Sequence, residues 1–322
     1  MNGSRFLVTG ARGFIGSWVT KNLVDRGFEV TAFDVDDRSE RLSLLLFPQP
    51  VSRIHFVRGD VNDVGLLETV LRERSISLVI HTAGLQTPEC RQRPIAGATV
   101  NILGTLAVFE AVKACGGQVS CVVYASSGAV LGSDDGLADH PLPDEAPRSP
   151  GTLYGAFKTA NEQCARVYWQ DDGIRSVGLR PPVVYGVGRD RGLTAGTTTL
   201  AIEAALLGRP YEIGFSGPAN VEYVEDAARC FVACALKAPD DAPVYNMRGE
   251  VLTVEDMIGV IEELFPSARG MITCRQLLNR MANHVLDAGL QALIGPFRPV
   301  TYREGAAKTA ELFRSLAASR RV

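Results

Sequence analysis

Tyr154 and Lys158 stand four residues apart in Tyr154-Gly155-Ala156-Phe157-Lys158, a spacing that places a phenol and an ammonium on one face of a helix. A free phenol titrates at about 10 and is a poor base at neutral pH. Holding it about three units lower takes about 4 kcal/mol of phenolate stabilisation, part of which a neighbouring ammonium can supply. Upstream, an apolar run over Val119–Tyr124 reads as a strand that ends in Ala125-Ser126-Ser127. Two hydroxyls therefore fall at the carboxyl edge of a sheet, where open α/β folds place their ligands. Alone, the Tyr/Lys pair is an ordinary helix pair and the serines are turn residues. Together they form a set able to hold an alcohol oxygen and take its proton.

A place for the partner of such chemistry lies at the N-terminus. Thr9-Gly10-Ala11-Arg12-Gly13-Phe14-Ile15-Gly16 joins the apolar run Arg5-Phe6-Leu7-Val8 to a helical pattern reaching about Arg26, which reads as strand, tight turn and helix. Gly10 permits the turn, Gly13 lets backbone approach a pyrophosphate, and Gly16 lets the helix pack close to the strand. The open N–H groups of the helix start would meet the phosphates. A second apolar run, Phe28–Phe33, ends in Asp34, about 20 residues on, where a carboxylate would grip both adenosine ribose hydroxyls. A 2′-phosphate beside it would meet repulsion of about 4 kcal/mol per charge pair at about 4 Å, which favours NAD over NADP. Arg12 and Arg38 run against that preference, since either could reach a 2′-phosphate.

The elements that position these residues follow from periodicity. Up to about residue 180, short β-branched runs alternate with amphipathic stretches, the pattern of an α/β chain with a doubly wound parallel sheet. Strands are expected at Phe6–Val8, Val30–Phe33, Ile54–Val57, Leu78–His81, Val119–Tyr124 and Ile174–Leu179, with a long helix at about Arg93–Cys115. Gly128–Gly151, rich in Gly, Pro and Asp, reads as an exposed loop. Beyond Pro181 the alternation decays into turns, short strands and helices at about 198–207, 224–236, 254–264 and 302–317. The expected division is a cofactor domain over 1–180 and a smaller, mainly substrate-binding α/β lobe over 181–322.

With 322 residues, 46% of them hydrophobic, and a net charge of −3, the chain can bury a full core and carries no broad basic field for nucleic acid. Seven cysteines at irregular spacing, without a CxxC pair, argue against a disulfide framework and a metal site. Cys230 and Cys234 read as small core residues of a helix. No apolar run approaching about 18 residues is seen, nor room for a signal peptide, so a cytoplasmic protein is expected, without membrane association.

The ordered set TGARGFIG (9–16), Asp34, GDV (59–61), HTAG (81–84), NILGT (101–105), SSGAVLG (126–132), YGAFK (154–158) and RPPVVYG (180–186) resembles the extended short-chain dehydrogenase/reductases of the NAD-dependent epimerase/dehydratase group over nearly the whole chain. The resemblance implies a Rossmann fold, NAD as cofactor and Tyr154 as proton acceptor during hydride transfer from a secondary alcohol. It implies Ser127, five residues before Gly132, as the catalytic hydroxyl with Ser126 beside it, Lys158 as ribose ligand, and Asn101 as the supporting polar group. Gly10, Gly13, Phe14, Ile15, Gly16, Asp34, Asp60, Val61, Ala83, Gly84, Tyr154, Lys158 and Val183 would line the cofactor cleft. A homodimer would form through the long helix and the helix that starts at Tyr154.

Departures from the pattern narrow the choice. Ser127 is followed by Gly128-Ala129 rather than by an acid, which speaks against dehydration. The position that holds a diphosphate-clamping arginine in sugar-nucleotide epimerases is Ala219, with Glu222 close by. The segment 188–199 is more similar to small-metabolite dehydrogenases, such as threonine dehydrogenase, with Arg189, Arg191, Thr194 or Thr197 as anchors and Gln86 as a further candidate. The reading favoured from sequence is therefore oxidation of a small polar metabolite: a hydroxy acid, amino alcohol or sugar acid. A nucleotide-sugar epimerase that keeps its NAD stands as the alternative, and a non-catalytic NAD sensor as a second.

Overall fold

A computed structural model describes residues 3–36, 40–46, 54–133, 140–190, 199–279 and 281–319. The first half builds β1 (Arg5–Thr9), α1 (Phe14–Asp25), β2 (Glu29–Asp34), α2 (Glu40–Leu46), β3 (Ile54–Arg58), α3 (Val64–Glu73) and β4 (Leu78–His81). Next come α4 (Thr87–Gln92) and α5 (Pro94–Ala98), which runs through a π-helical turn (Thr99–Leu103) into α6 (Gly104–Ala114). β5 (Cys121–Ala125), α7 (Leu153–Asp172) and β6 (Ser176–Arg180) complete it. The remainder contributes β7 (Val183–Tyr185), α8 (Ala201–Leu206), β8 (Tyr211–Ile213), β9 (Pro218–Tyr223), α9 (Val224–Lys237) and β10 (Val244–Asn246). It ends with β11 (Glu250–Thr253), α10 (Val254–Leu264), β12 (Ile272–Cys274), α11 (Ala288–Ile294) and α12 (Tyr302–Ser319).

Seven parallel strands form the central sheet in the order β10-β6-β5-β4-β1-β2-β3. β1 is its pivot: Phe6 pairs with Val30 on one side and Leu78 on the other, and successive strands are laid outward from there in both directions. The crevice at the carboxyl ends of β1 and β4 is the switch point where such sheets bind ligands. Phe6, Leu7, Val8 and Thr9 are all buried, as a strand covered by helices on both faces requires. One core, on the α1 and α9 face, runs on into the C-terminal layers through Tyr185, Tyr223 and Tyr302; the other joins the sheet to α3, α6 and α7.

Two sequence expectations need correction. The stretch 128–151 is not simply an exposed loop. Val130, Leu131 and Ala146 form a small core with Val285, and Leu142 N–H donates to His284 O at 2.9 Å. The continuous helix Pro94–Ala114, at mean hydropathy 1.7, is long and apolar enough by length and composition to cross a membrane. Here it packs against α3 and α7, with Ala107, Val108, Phe109, Ala111 and Val112 in the second core. On the division at 180, α9 packs beside α1 and β10 pairs with β6, so the central layer draws on both sides of that residue. Cys230 and Cys234 are buried on α9.

Candidate active site

The site grows from three strand ends and one helix. Thr152 caps α7, its hydroxyl accepting from Gly155 N–H at 3.1 Å, and this fixes Tyr154 in the first turn and Lys158 one turn on. Gly155 has no room for a side chain, because a Cβ there would lie 2.4 Å from Ala129 O. α7 is thereby pressed against the turn that follows β5. Ser127 sits at that turn, capping residues 128–130 through Ala129 N–H at 3.2 Å, with its hydroxyl close enough to the Tyr154 phenol to lower its titration. Burial pushes the Tyr154 phenol above its ordinary value, opposed by the Ser127 hydrogen bond and by the positive charge of Arg189.

Lys158 is buried, and burial lowers its ammonium to about 8. It does not bond the phenol. Its Nζ donates to Ala125 O at 2.7 Å and lies 5.7 Å from the centre of the Tyr154 ring, so its direct help to a phenolate is through charge alone. Asn101 lies in the π-helical turn, where its Nδ2 reaches Leu85 O and Gly97 O, both at 3.0 Å, and Cys90 Sγ at 3.3 Å. Its Oδ1 is buried without a partner and faces Gly84, where a Cβ would come within 2.7 Å.

Behind these groups runs a buried polar chain that links β1, β4, the π-helical turn and α7. Thr105 Oγ1 donates to Asn101 O at 2.8 Å and accepts from Asn161 Nδ2 at 3.0 Å. Its one proton is thus spent, so His81 Nε2, at 3.0 Å, must donate to it, and His81 Nδ1 accepts from Thr9 Oγ1 at 2.7 Å. Burial lowers His81 to about 3, in keeping with this neutral tautomer.

A second buried cluster was not anticipated from sequence. Glu162 accepts from Arg180 Nε and NH2 at 2.8 and 2.9 Å, from Arg148 Nε at 3.0 Å and from Ser126 Oγ at 2.6 Å. Arg180 also reaches Asp144 O at 2.9 Å and Asn246 Oδ1 at 3.0 Å. Ser126 is therefore committed to Glu162 rather than open to a substrate, unlike the neighbour in the hydroxyl pair read from sequence. Glu162 lies one turn beyond Lys158 and two beyond Tyr154, a spacing that could have flagged it. A small cavity adjoins this cluster, lined among others by Gly128, Arg180, Val183, Asn220, Asn246 and Asn283.

The dinucleotide side is equally defined. Gly10 (φ +67°) turns the chain against β4, where a Cβ would stand 2.6 Å from Ala83 N, and a Cβ on Gly16 would strike Gly10 O at 2.1 Å. Phe14 is buried and Ile15 half-buried in the first turn of α1. Asp34, at the end of β2, accepts from Arg12 N–H at 2.8 Å and Asp36 N–H at 3.1 Å. Arg12 donates to Asp36 O at 2.6 Å and stacks over Phe56. Asp60 turns back on Asn62, Val61 packs against Gly104, and Val183 lines the cavity. Gln86 is half-buried at the start of α4, and Arg189 lies over the Phe14 ring. Arg38, Arg191, Thr194 and Thr197 lie outside the described residues.

These features fit a nicotinamide dinucleotide. The N-cap of α1 is Gly13, with no side-chain cap and no acid in the first turn, so its N–H groups and dipole are open to phosphate, and Asp34 lies beside the glycine-rich turn through its bond to Arg12 N–H. Fold and site thus define a Rossmann-type enzyme with a Ser/Tyr/Lys set at the cofactor crevice.

Comparison with known proteins narrows the class. Residues 6–247 match the model of the NAD dependent epimerase/dehydratase family, and the chain belongs to that family. It is 30% identical to a UDP-glucose 4-epimerase of Mycolicibacterium smegmatis over 97% of this chain and 99% of that protein. A UDP-glucose 4-epimerase of Azospirillum brasilense is 34% identical, over 64% of this chain and 58% of its own length. Among solved structures, Thermus thermophilus UDP-glucose 4-epimerase in complex with NAD superposes with a TM-score of 0.81 at 26% identity, covering 96% and 99% of the two chains. A consensus L-threonine 3-dehydrogenase, at 22% identity, shares the fold with a TM-score of 0.82 over 97% of this chain and 99% of that one. The cofactor is NAD, and the expected leaning toward small-metabolite dehydrogenases is not supported by these relatives.

Proposed function

We propose that the chain is a nucleotide-sugar epimerase acting through bound NAD. The observation that carries this reading is the end-to-end similarity to the M. smegmatis epimerase, at a site whose hydroxyl, phenol and ammonium are assembled for alcohol oxidation. In the proposed reaction Ser127 holds the sugar hydroxyl oxygen and the Tyr154 oxygen takes its proton, then returns it after the sugar has turned. Lys158 holds the nicotinamide ribose and adds positive charge near the phenol. Bound NAD would supply the hydride acceptor and, once the sugar has turned, the hydride donor to the opposite face of the same carbon. Gly10, Gly13, Phe14, Ile15 and Gly16 would seat the pyrophosphate, Asp34 the adenosine ribose, Asp60 and Val61 the adenine, and Ala83, Gly84 and Val183 the nicotinamide half. We place the protein in the cytoplasm, since the one helix long and apolar enough to span a membrane among the described residues is packed within the fold.

A second reading, net oxidation of a small polar metabolite, has one specific observation behind it. Ala219, where a diphosphate-clamping arginine is expected, is fully buried on β9, and the cavity's Arg180 is already neutralised by Glu162. One experiment separates the two. Purified protein incubated with UDP-glucose should yield its C4 epimer, followed by proton NMR, with no free NADH. NADH accumulating with a hydroxy acid or amino alcohol, and no isomerised sugar, would establish the dehydrogenase instead.

A further inference from the structure

Residues 186–190 leave β7 and run back across the cofactor half of the molecule. Gly186 (φ +135°) and Gly188 (φ +96°) adopt conformations that side chains disfavour, and Arg189 N–H closes a turn onto Gly186 O at 3.1 Å. Two side chains of the cofactor half then take successive carbonyls of this segment. Trp18 Nε1, from α1, donates to Val187 O at 2.9 Å, and Arg41 Nε, from α2, donates to Gly188 O at 3.0 Å. The same guanidinium reaches Arg12 O in the glycine-rich turn at 3.3 Å and grips both oxygens of Asp190 at 2.6 and 2.8 Å. One rigid fork thus ties residues 188–190 to the phosphate-binding turn.

What the segment covers is equally specific. Gly188 seats against Phe14, the first residue of α1: a Cβ on Gly188 would lie 3.5 Å from Phe14 Cδ2. The Arg189 guanidinium stands 5.6 Å above the Phe14 ring. Its charge is also felt by Tyr154, so the segment carries a cation across the space between the open N-terminus of α1 and the catalytic phenol.

We propose that Trp18 and Arg41 are positioning residues that hold 187–190 as a strap across the dinucleotide crevice, so that the cofactor is retained from one turnover to the next. The purpose rests on the epimerase reading, because a hydride handed back to its own substrate requires the dinucleotide to stay. Neither side chain touches the reacting atoms. Their effect belongs to cofactor release.

The test needs no substrate. Protein loaded with NADH is mixed with excess NAD, and the loss of bound-NADH fluorescence gives the release rate. Arg41→Met should release NADH about tenfold faster or more, the size expected when charge-assisted hydrogen bonds are lost. Trp18→Phe, which keeps an aromatic ring, though a smaller one, and removes the donor, should fall between it and the wild type. Asp190→Asn offers a surface change that leaves the core intact: Asp190 is 54% exposed and Arg41 28%. Because that pair is partly solvated, raised salt should speed release from the wild type and leave Asp190→Asn nearly unchanged. Release at the wild-type rate in both Arg41→Met and Trp18→Phe would overturn the strap, whatever reaction the enzyme performs. NADH accumulation during turnover would overturn the epimerase reading and leave the release comparison standing.

Discussion

Tyr154 is held as a phenol by its own surroundings. Burial raises it, one Lys158 N–H goes to Ala125 O rather than to the phenol, and only Ser127 and the charge of Arg189 pull the other way. The protein alone therefore poises the proton acceptor without ionising it. Tyr154→Phe should lower turnover by about 10²–10⁴-fold, the usual worth of a positioned acid–base group, while NAD still binds, as read by isothermal titration calorimetry. Turnover within a few-fold of wild type would remove Tyr154 from the mechanism. Glu162 makes a different kind of contribution, because it accepts from two arginines and Ser126 in a fully buried setting. Glu162→Gln leaves Arg180 without its counter-charge and should cost about 3–5 kcal/mol, read as a fall in the urea midpoint. The double variant Glu162→Gln/Arg180→Met should lose less than the sum of the two single changes, since both remove the same contact. Additive losses would mean that the pair acts independently.

At the scale of elements, what could be read in the sequence was what lies within one turn or one strand. The glycine turn and the Tyr154/Lys158 pair are local spacings, while Asp34 and Ser127 were placed by the ends of their strands, and the structure brings Ser127 close to Tyr154. The Glu162 cluster and the Arg41 clamp depend on side chains of different elements meeting, Arg180 from β6 and Asp190 from beyond β7, which neither periodicity nor a strand end encodes. The π-helical turn at Asn101 also escaped: Asn101 and Thr105 interrupt the apolar face of the long helix, but a polar interruption does not by itself reveal a slip of helical phase. Glu222 on β9 is a case where the residue was noted and its setting was not. Its side chain is buried with Oε2 unpartnered, Asp226 and Asp287 press on it and Arg229 only partly offsets them, so its carboxyl is held well above 4.5. A raised folded value means that the proton stays on in the folded chain while the unfolded chain loses it. That contribution to stability is complete below 4.5 and is lost as pH rises toward the folded value. Glu222→Gln should therefore gain on wild type by up to about 1.4 kcal/mol per pH unit over that window. Parallel stability curves for the two proteins across pH 5–8 would show that Glu222 does not titrate this way.

The whole molecule leaves one side of its second helical layer unfinished. The helix Pro94–Ala114 is half buried, and on the part left outside Ile95 is 82% and Leu103 54% exposed. On α7, which packs against the same π-helical turn, Leu153 is 47% and Val167 43% exposed. Large apolar side chains exposed on two adjoining helices favour association over solvation, and a helix pair presented to a second copy of itself forms a self-complementary patch of the kind two-fold dimers use. We therefore expect a homodimer of the 34.6 kDa chain in solution, joined through these helices. Because α7 carries Tyr154 and Lys158, and the π-helical turn carries Asn101, that contact would brace the catalytic groups from behind without entering the site. Leu103→Asp should convert the dimer to monomer in size-exclusion chromatography with light scattering. It should also lower the melting temperature in a manner that depends on protein concentration for the wild type and not for the variant. A wild-type protein that elutes at 34.6 kDa at every concentration would leave these helices as plain surface, and the site would then be braced by the π-helical turn and the Glu162 cluster alone.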